Sequence, residues 1–132
     1  MKCIDTPLLL DLLLGRPSAR RWLKGASVTE GELATTEYNM TELALEAHSQ
    51  KGSPLHRVEA LENLRRELTV LPVDRESYRT LSVLLRKNPG RTANLPGTLV
   101  AATALAHGST HLWTDKKRAL PAVLGPLKVQ RY

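Results

Sequence analysis

The sequence predicts an α/β fold in which a central, mostly parallel sheet is covered by helices on both faces, giving three layers. Short β-like segments alternate with helical segments along all 132 residues, and this alternation is typical of βαβ units. The length is that of one domain, and no repeat, low-complexity tract or linker interrupts it. We therefore expect a single domain over residues 1–132. Aromatic residues make up only 4% of the chain, so its core must be mainly aliphatic.

The first half of the chain is predicted to contain two strands and four helices. An apolar run that follows the opening strand is typical of a helix, and Gly15 ends it. The residues LATTEY favour a strand because they are rich in β-formers. Asn39 is a good N-cap for the next helix, which Gly52 ends, and Ser53 and Pro54 start another. The predicted elements are strands over 2–4 and 33–38 and helices over 6–14, 18–24, 40–51 and 54–68.

The second half alternates in the same way. Asp74 is a candidate N-cap, and the residues Asn88, Pro89 and Gly90 stop the helix that follows it. The segment LVAATALAH is almost entirely apolar, which predicts a helix buried between other elements, and Gly108 ends it. The predicted elements are a strand over 69–73, a helix over 75–87, a loop over 91–98, a helix over 99–107 and strands over 111–114 and 127–130.

The net charge of +6 is unevenly distributed. Residues 1–74 contain 9 basic and 11 acidic residues, whereas residues 75–132 contain 10 basic and 2 acidic residues. An acidic cluster bordered by basic side chains is suited to a polyanion that is bound while metal ions act on it. Charge counts alone, however, favour a solvated surface.

The sequence contains no signal for secretion or membrane insertion. The apolar run from Pro7 to Leu14 is interrupted by Asp11, and no window approaches the ~20 apolar residues that cross a bilayer. We therefore expect a cytoplasmic protein without a membrane partner. The single cysteine, Cys3, cannot form an internal disulfide, and we interpret it as an inert thiol in the core.

Three acidic residues follow predicted strands. Asp5 comes after the first strand, Glu42 lies one turn into the helix after the second, and Asp115 follows the strand that ends at Thr114. Because the carboxyl ends of parallel strands meet at one edge of a sheet, these carboxylates should lie near each other. Mg²⁺ and Mn²⁺ prefer such oxygen ligands. The alternative is that the acids cap helices, although Asn39 already supplies a cap beside Glu42.

Other kinds of site have little support. No phosphate-binding loop, dinucleotide fingerprint or hydrolase elbow is present, and the histidines lack the spacing of a zinc site. Trp22 and Trp113 are interpreted as packing residues. Lys116, Lys117 and Arg118 follow the last candidate acid, where they would form either a solvated turn or contacts to phosphates.

Three segments, taken in order, resemble one family. The opening KCIDTPLLLDLLLG resembles the start of PIN-domain proteins, in which a strand leads into an Asp-Thr pair and an apolar helix. LATTEYNMTEL resembles the strand and helix of that family that contain its second acid. LVAATALAHGSTHLWTD followed by LGPLKV resembles the C-terminal part of VapC-type toxins.

The resemblance implies a PIN-like fold and a Mg²⁺- or Mn²⁺-dependent endoribonuclease that is the toxin of a toxin–antitoxin pair. It further implies a homodimer and a small antitoxin protein that occupies the acidic site. Asp5 would match the first metal-binding acid and Glu42 the second. Thr6 would match the hydroxyl residue beside the first acid, and Thr114 the one before the last acid. Lys116, Lys117 and Arg118 would then contact the RNA substrate.

The sequence departs from the family pattern at two acidic positions. Gly97 occupies the place of the third acid, and Lys116 that of the fourth, so that Asp115 is displaced by one position. A protonated lysine does not coordinate Mg²⁺. Two alternatives therefore stay open: a catalytically inactive PIN-like module that binds RNA or protein, and a receiver-like domain with Asp74 as phosphoacceptor.

Overall fold

The computed structural model describes residues 1–29, 31–49, 54–90, 95–115 and 117–131. Over these residues the chain alternates between strands and helices, and every strand pair in the sheet is parallel, in the order β3-β2-β1-β4-β5. The predicted α/β class is confirmed. In chain order the elements are β1 (Lys2–Ile4), α1 (Thr6–Leu13), α2 (Pro17–Thr29), β2 (Leu33–Thr36), α3 (Glu37–Ser49), α4 (Pro54–Glu67), β3 (Thr69–Leu71), α5 (Arg75–Lys87), α6 (Leu95–Ala106), β4 (His111–Thr114) and β5 (Lys128–Arg131).

The central strand β1 separates two apolar clusters. Successive side chains of a strand point to opposite faces, and here Ile4 packs with residues of α1 to α4 while Cys3 packs with residues of α5 and α6. Both side chains are completely buried. Helices therefore cover the sheet on both sides, as the alternation of elements predicts.

The two tryptophans and the cysteine have the packing roles expected of them. The rings of Trp22 and Trp113 meet edge to face, with centroids 5.1 Å apart. Cys3 is a free, buried thiol, and burial raises its pKa. None of the helices in the described part of the chain combines the length and the apolar character that crossing a bilayer requires.

The start of α3 differs from the prediction. The strand ends at Thr36 rather than at residue 38, and α3 begins at Glu37 rather than after Asn39. The Asn39 N–H donates to Thr36 Oγ1 over 3.0 Å, and the Thr36 N–H donates to Asn39 Oδ1 over 3.3 Å. This reciprocal pair is a capping box. Thr36 is therefore the N-cap, and Asn39 lies inside the first turn.

Two helices are longer than predicted. Helix α2 continues past Gly25 to Thr29, and in the described part of the chain nothing outside this helix lies within 4 Å of a Cβ built on that glycine. Helix α6 begins at Leu95 and includes Pro96, so residues 95–98 are helical rather than part of a loop. Proline is compatible with a first helical turn because the N–H it lacks would have no partner there. The predicted helix boundary at Gly52 and Ser53 lies outside the described residues.

Candidate active site

Three neighbouring strands place the candidate site at their carboxyl ends. Asp5 directly follows β1, Glu42 lies in the helix that follows β2, and Thr114 is the last residue of β4. Since β1 pairs in parallel with both β2 and β4, these ends lie at the same edge of the sheet. The structure brings Asp5, Thr6, Glu42, Thr114 and Arg118 together there.

Asp5 is completely buried and accepts hydrogen bonds at both carboxylate oxygens. Its Oδ1 accepts from the Thr6 N–H and from Asn39 Nδ2, each over 2.8 Å, so Asp5 also caps α1. Its Oδ2 accepts from Thr114 Oγ1 over 2.8 Å. Burial outweighs the opposing effects of Arg118 and of the three hydrogen-bond donors, so the pKa of Asp5 is raised above its ordinary value. The donors and Arg118 favour the charged form of this carboxyl group, from which water is excluded.

A short chain of hydrogen bonds connects the two acids. Asn39 Nδ2 donates to Thr6 Oγ1 over 2.9 Å, and Thr6 Oγ1 in turn donates to Glu42 Oε1 over 2.7 Å. Asn39 thus contacts Asp5 directly and Glu42 through one hydroxyl. The positions of both carboxylates are set by side chains rather than by the backbone alone.

The guanidinium of Arg118 lies between the two carboxylates. Its Nη2 and Nη1 donate to Glu42 Oε1 and Oε2 over 2.7 Å and 3.1 Å, which is a bidentate ion pair. Its Nε lies 3.1 Å from Asp5 Oδ2, as an ion pair without hydrogen-bond geometry. Burial lowers the pKa of Arg118, but the hydrogen bond to Glu42 and the charge of Asp5 outweigh that effect and the pKa is raised.

Asp115 lies at the edge of this group and has a different contact. Its Oδ1 accepts the N–H groups of Lys117 and Arg118, each over 2.9 Å, and so closes the turn after β4. The expected contact residue Lys116 lies outside the described residues. A surface depression of about 270 Å³ adjoins the acids, and it is lined by Thr6, Pro7, Leu10, Glu42, Glu46, Asp115 and Arg118.

The position of the expected third acid has no room for a side chain. A Cβ on Gly97 would lie 2.1 Å from the carbonyl oxygen of Ala119 and 2.9 Å from Leu120 Cδ2. The backbone after Arg118 therefore packs directly against the first turn of α6. Among the described residues, no group of three or more His, Cys, Asp or Glu side chains is arranged to hold a metal ion. Asp5 and Glu42 are the acids here that face a common cation.

Sequence reasoning missed the roles of two residues. The sequence predicts Asn39 only as a helix cap, yet its side chain is completely buried and contacts Asp5 and Thr6. Arg118 is expected to contact phosphates, yet it contacts carboxylates. The available signal for Asn39 was its position three residues after Thr36, which matches a capping box. Asp74, the alternative phosphoacceptor, caps α5 by accepting from the Ser77 N–H.

Replacing Thr114 with valine should lower the free energy of unfolding by about 2 kcal/mol, because a hydrogen bond to a buried carboxylate is lost. Thr35 provides a matched comparison, since it is also a buried strand residue but donates to the Ile4 carbonyl, over 2.8 Å. Its valine variant should lose about 1 kcal/mol, the usual value for a neutral acceptor. Urea denaturation of the two variants measures the difference. Equal losses would show that the bond from Thr114 to Asp5 contributes no more than a bond to a neutral acceptor.

Comparison with known proteins agrees with this architecture. The model of the PIN domain family matches residues 2–123. VapBC2 from Rickettsia felis, solved bound to a promoter DNA fragment, aligns with a TM-score of 0.76 at 14% identity, covering 99% of this chain and 98% of that chain. DNA-bound VapBC from Salmonella typhimurium aligns with a TM-score of 0.75 at 15% identity, covering 98% of this chain and 96% of that chain. A toxin–antitoxin complex from Klebsiella pneumoniae aligns with a TM-score of 0.68 at 20% identity, covering 97% of this chain and 99% of that chain.

At these identities the likeness to solved structures shows the fold alone. None of the curated proteins matches the sequence. The family model, in contrast, covers nearly the whole chain. This protein therefore belongs to the PIN domain family.

Proposed function

We propose that this protein is an endoribonuclease of the VapC toxin type that depends on Mg²⁺ or Mn²⁺. The observation that supports it is the convergence of Asp5 and Glu42, from different βα units, on one cationic group. A guanidinium there acts as a stand-in for a metal ion, because it shows that the two carboxylates face a common point. Carboxylate oxygens are also the ligands that Mg²⁺ and Mn²⁺ prefer.

Asp5 and Glu42 would hold the metal, and Asp115, at the rim of the same depression, would orient a water molecule. A divalent ion bound there would lower the pKa of a coordinated water and offset the charge that develops on the scissile phosphate. Thr114 and Asn39 fix the Asp5 carboxylate, and Thr6 fixes that of Glu42. These hydrogen bonds limit the reorganisation that cation binding requires.

Basic side chains beside the acids would bind the RNA backbone. Lys117 is exposed next to the depression, and Lys116 and Arg118 are its chain neighbours, so all three are proposed phosphate contacts. Thr6 and Thr114, whose hydroxyl groups donate to Glu42 and Asp5, are the proposed hydroxyl contacts to the RNA substrate beside the acids. The net positive charge of the chain lies in residues 75–132, where it would attract RNA in a salt-dependent way.

The aligned structures from Rickettsia felis, Salmonella typhimurium and Klebsiella pneumoniae are toxin–antitoxin complexes. By analogy we propose a small antitoxin protein as partner, a homodimer as the assembled form and the cytoplasm as its location. Co-expression with the product of an adjacent small reading frame, followed by purification through a tag on that product, tests the partner. Recovery of the tagged product without this chain would contradict it.

Purified wild-type protein is expected to cleave single-stranded RNA in the presence of Mn²⁺, and Asp5→Asn should reduce the rate roughly 100-fold or more because a metal-binding charge is lost. Asp11→Asn is the matched control, since Asp11 also lies at α1 but pairs with Arg16, 2.9 Å away. It should leave the rate unchanged. Equal cleavage by the wild type and Asp5→Asn would exclude the proposed site.

One observation favours a second function, RNA binding without cleavage. Gly97 leaves no room for a third acid, and Arg118 already offsets part of the charge of the other two. Filter binding of radiolabelled RNA with and without EDTA distinguishes the two functions. Metal-independent retention of intact RNA would support the binding module, and metal-dependent cleavage would support the nuclease.

A further inference from the structure

The position of Arg118 is determined by its own backbone turn. Asp115 Oδ1 accepts the N–H groups of residues 117 and 118, and Arg131 Nη1 from β5 donates to the carbonyl of Asp115. The next residue, Ala119, packs against Gly97. Contacts on three sides therefore fix the base of this side chain, so that its guanidinium reaches the acids without support from any other chain.

The guanidinium occupies the place between the carboxylates that a divalent cation would need. It contacts Asp5 Oδ2 at 3.1 Å and Glu42 Oε1 at 2.7 Å, so neither acid has a free oxygen directed at a shared cation. Two negative charges and one positive charge remain as a net charge of about −1. Because Arg118 repels a second cation, the net attraction that such a cation meets is about half that of the bare acids.

The contact is also open to displacement. The Arg118 side chain is 16% exposed and that of Glu42 22%, so solvent reaches the pair although Asp5 is completely buried. Arg118 Nε is buried and has no hydrogen-bond partner among the described residues, which lowers the net benefit of the contact with Asp5. The depression lined by Pro7, Glu46 and Asp115 lies directly beside it and offers space for the side chain to move into.

We propose, on the basis of the function proposed above, that Arg118 is an internal cation that occupies the acidic site and that a divalent metal must displace. The resting protein is then self-inhibited, and conditions that draw the arginine outward, such as a phosphate near residues 117 and 118, favour metal binding. Arg118 therefore has two alternative partners, the carboxylates in the absence of substrate and a phosphate in its presence.

Isothermal titration with Mn²⁺ of the wild type and Arg118→Gln tests this inference without measuring cleavage. Removal of one positive charge at contact distance should tighten Mn²⁺ binding roughly 10- to 100-fold. Arg79→Gln is the matched control, because Arg79 is an exposed arginine paired with Glu76 on α5, and it should bind Mn²⁺ as the wild type does. Asp5→Asn combined with Arg118→Gln should lose the binding.

Equal Mn²⁺ affinity of the wild type and Arg118→Gln would overturn the role of Arg118, and so would the absence of binding to both. Arg118→Ala is a second variant with the same expectation, and a Mn²⁺-dependent rise in Tm, larger in both variants than in the wild type, is an independent measurement. If both variants bind Mn²⁺ tightly but no protein cleaves RNA, the inference on Arg118 holds and the proposed nuclease function fails.

Discussion

Replacing Gly97 with alanine is expected to lower the free energy of unfolding by about 3 kcal/mol, the upper end of the usual cost of overpacking. The new Cβ would lie 2.1 Å from the carbonyl oxygen of Ala119. A backbone carbonyl cannot rotate away as the end of a flexible side chain can, so the chain from Arg118 to Leu120 must move. Urea denaturation measures the loss.

The matched control is Gly25→Ala. Both glycines are helical, but a Cβ on Gly25 would meet no described residue within 4 Å beyond its chain neighbours and the backbone of its own helix. Alanine is favoured over glycine inside a helix, so this variant should gain about 0.5–1 kcal/mol. Opposite signs at the two positions would therefore identify the contact with Ala119 as the cause. An alanine variant at position 97 as stable as the wild type would show that this contact is absent.

Gly97 also affects the acidic site at a distance. Because Ala119 follows Arg118 directly, displacement of its carbonyl should move the guanidinium away from the carboxylates. Gly97→Ala and Arg118→Gln should then increase Mn²⁺ affinity less in combination than the sum of their separate effects, since both act through the same contact. Fully additive effects would show that Gly97 does not act on Mn²⁺ affinity through Arg118. We therefore expect the glycine that replaces an expected acid to help position the arginine.

The convergence of the acids was predictable from the sequence because it depends only on topology. Asp5 and Glu42 each follow a strand, and parallel strands bring their carboxyl ends to one edge. The contacts of Arg118 were not predictable in the same way. A long side chain next to a turn can reach solvent, phosphate or carboxylate, and the choice depends on backbone positions that residues 97 and 119 determine together.

The element boundaries likewise depend partly on the local sequence, which is predictable, and partly on tertiary contacts, which are not. The strands and helices were recognisable from apolar periodicity, but Pro96 and Gly97 read as loop residues and instead form the first turn of α6. Proline is neutral there, and the glycine is required by a neighbour that is remote in sequence. Asn39 was assigned to the correct helix terminus, but as the N-cap rather than as the buried donor to Asp5 and Thr6. The sequence does not distinguish these roles, because asparagine suits both.

Replacing Asn39 with alanine is expected to have the largest effect, a loss of about 3–5 kcal/mol in the free energy of unfolding, because several buried polar groups lose partners at once. Asn39 Nδ2 donates to Asp5 and Thr6, and its Oδ1 accepts from the Thr36 N–H and hydroxyl. Without it, the Thr36 N–H is orphaned and the buried Asp5 carboxylate loses a donor. The variant should also bind Mn²⁺ more weakly, since Asp5 loses one of its donors and Thr6, which orients Glu42, loses its own.

Asn63→Ala is the matched control for this last variant. Asn63 is an exposed residue of α4, and the same substitution there should change the free energy of unfolding by less than about 0.5 kcal/mol. Denaturation of both variants in urea isolates the contribution of the buried network from that of asparagine itself. A loss at position 39 no larger than at position 63 would mean that water replaces the amide at no cost. The two acids would then be held by the backbone and by Arg118, and the ordering role assigned to Asn39 would be wrong.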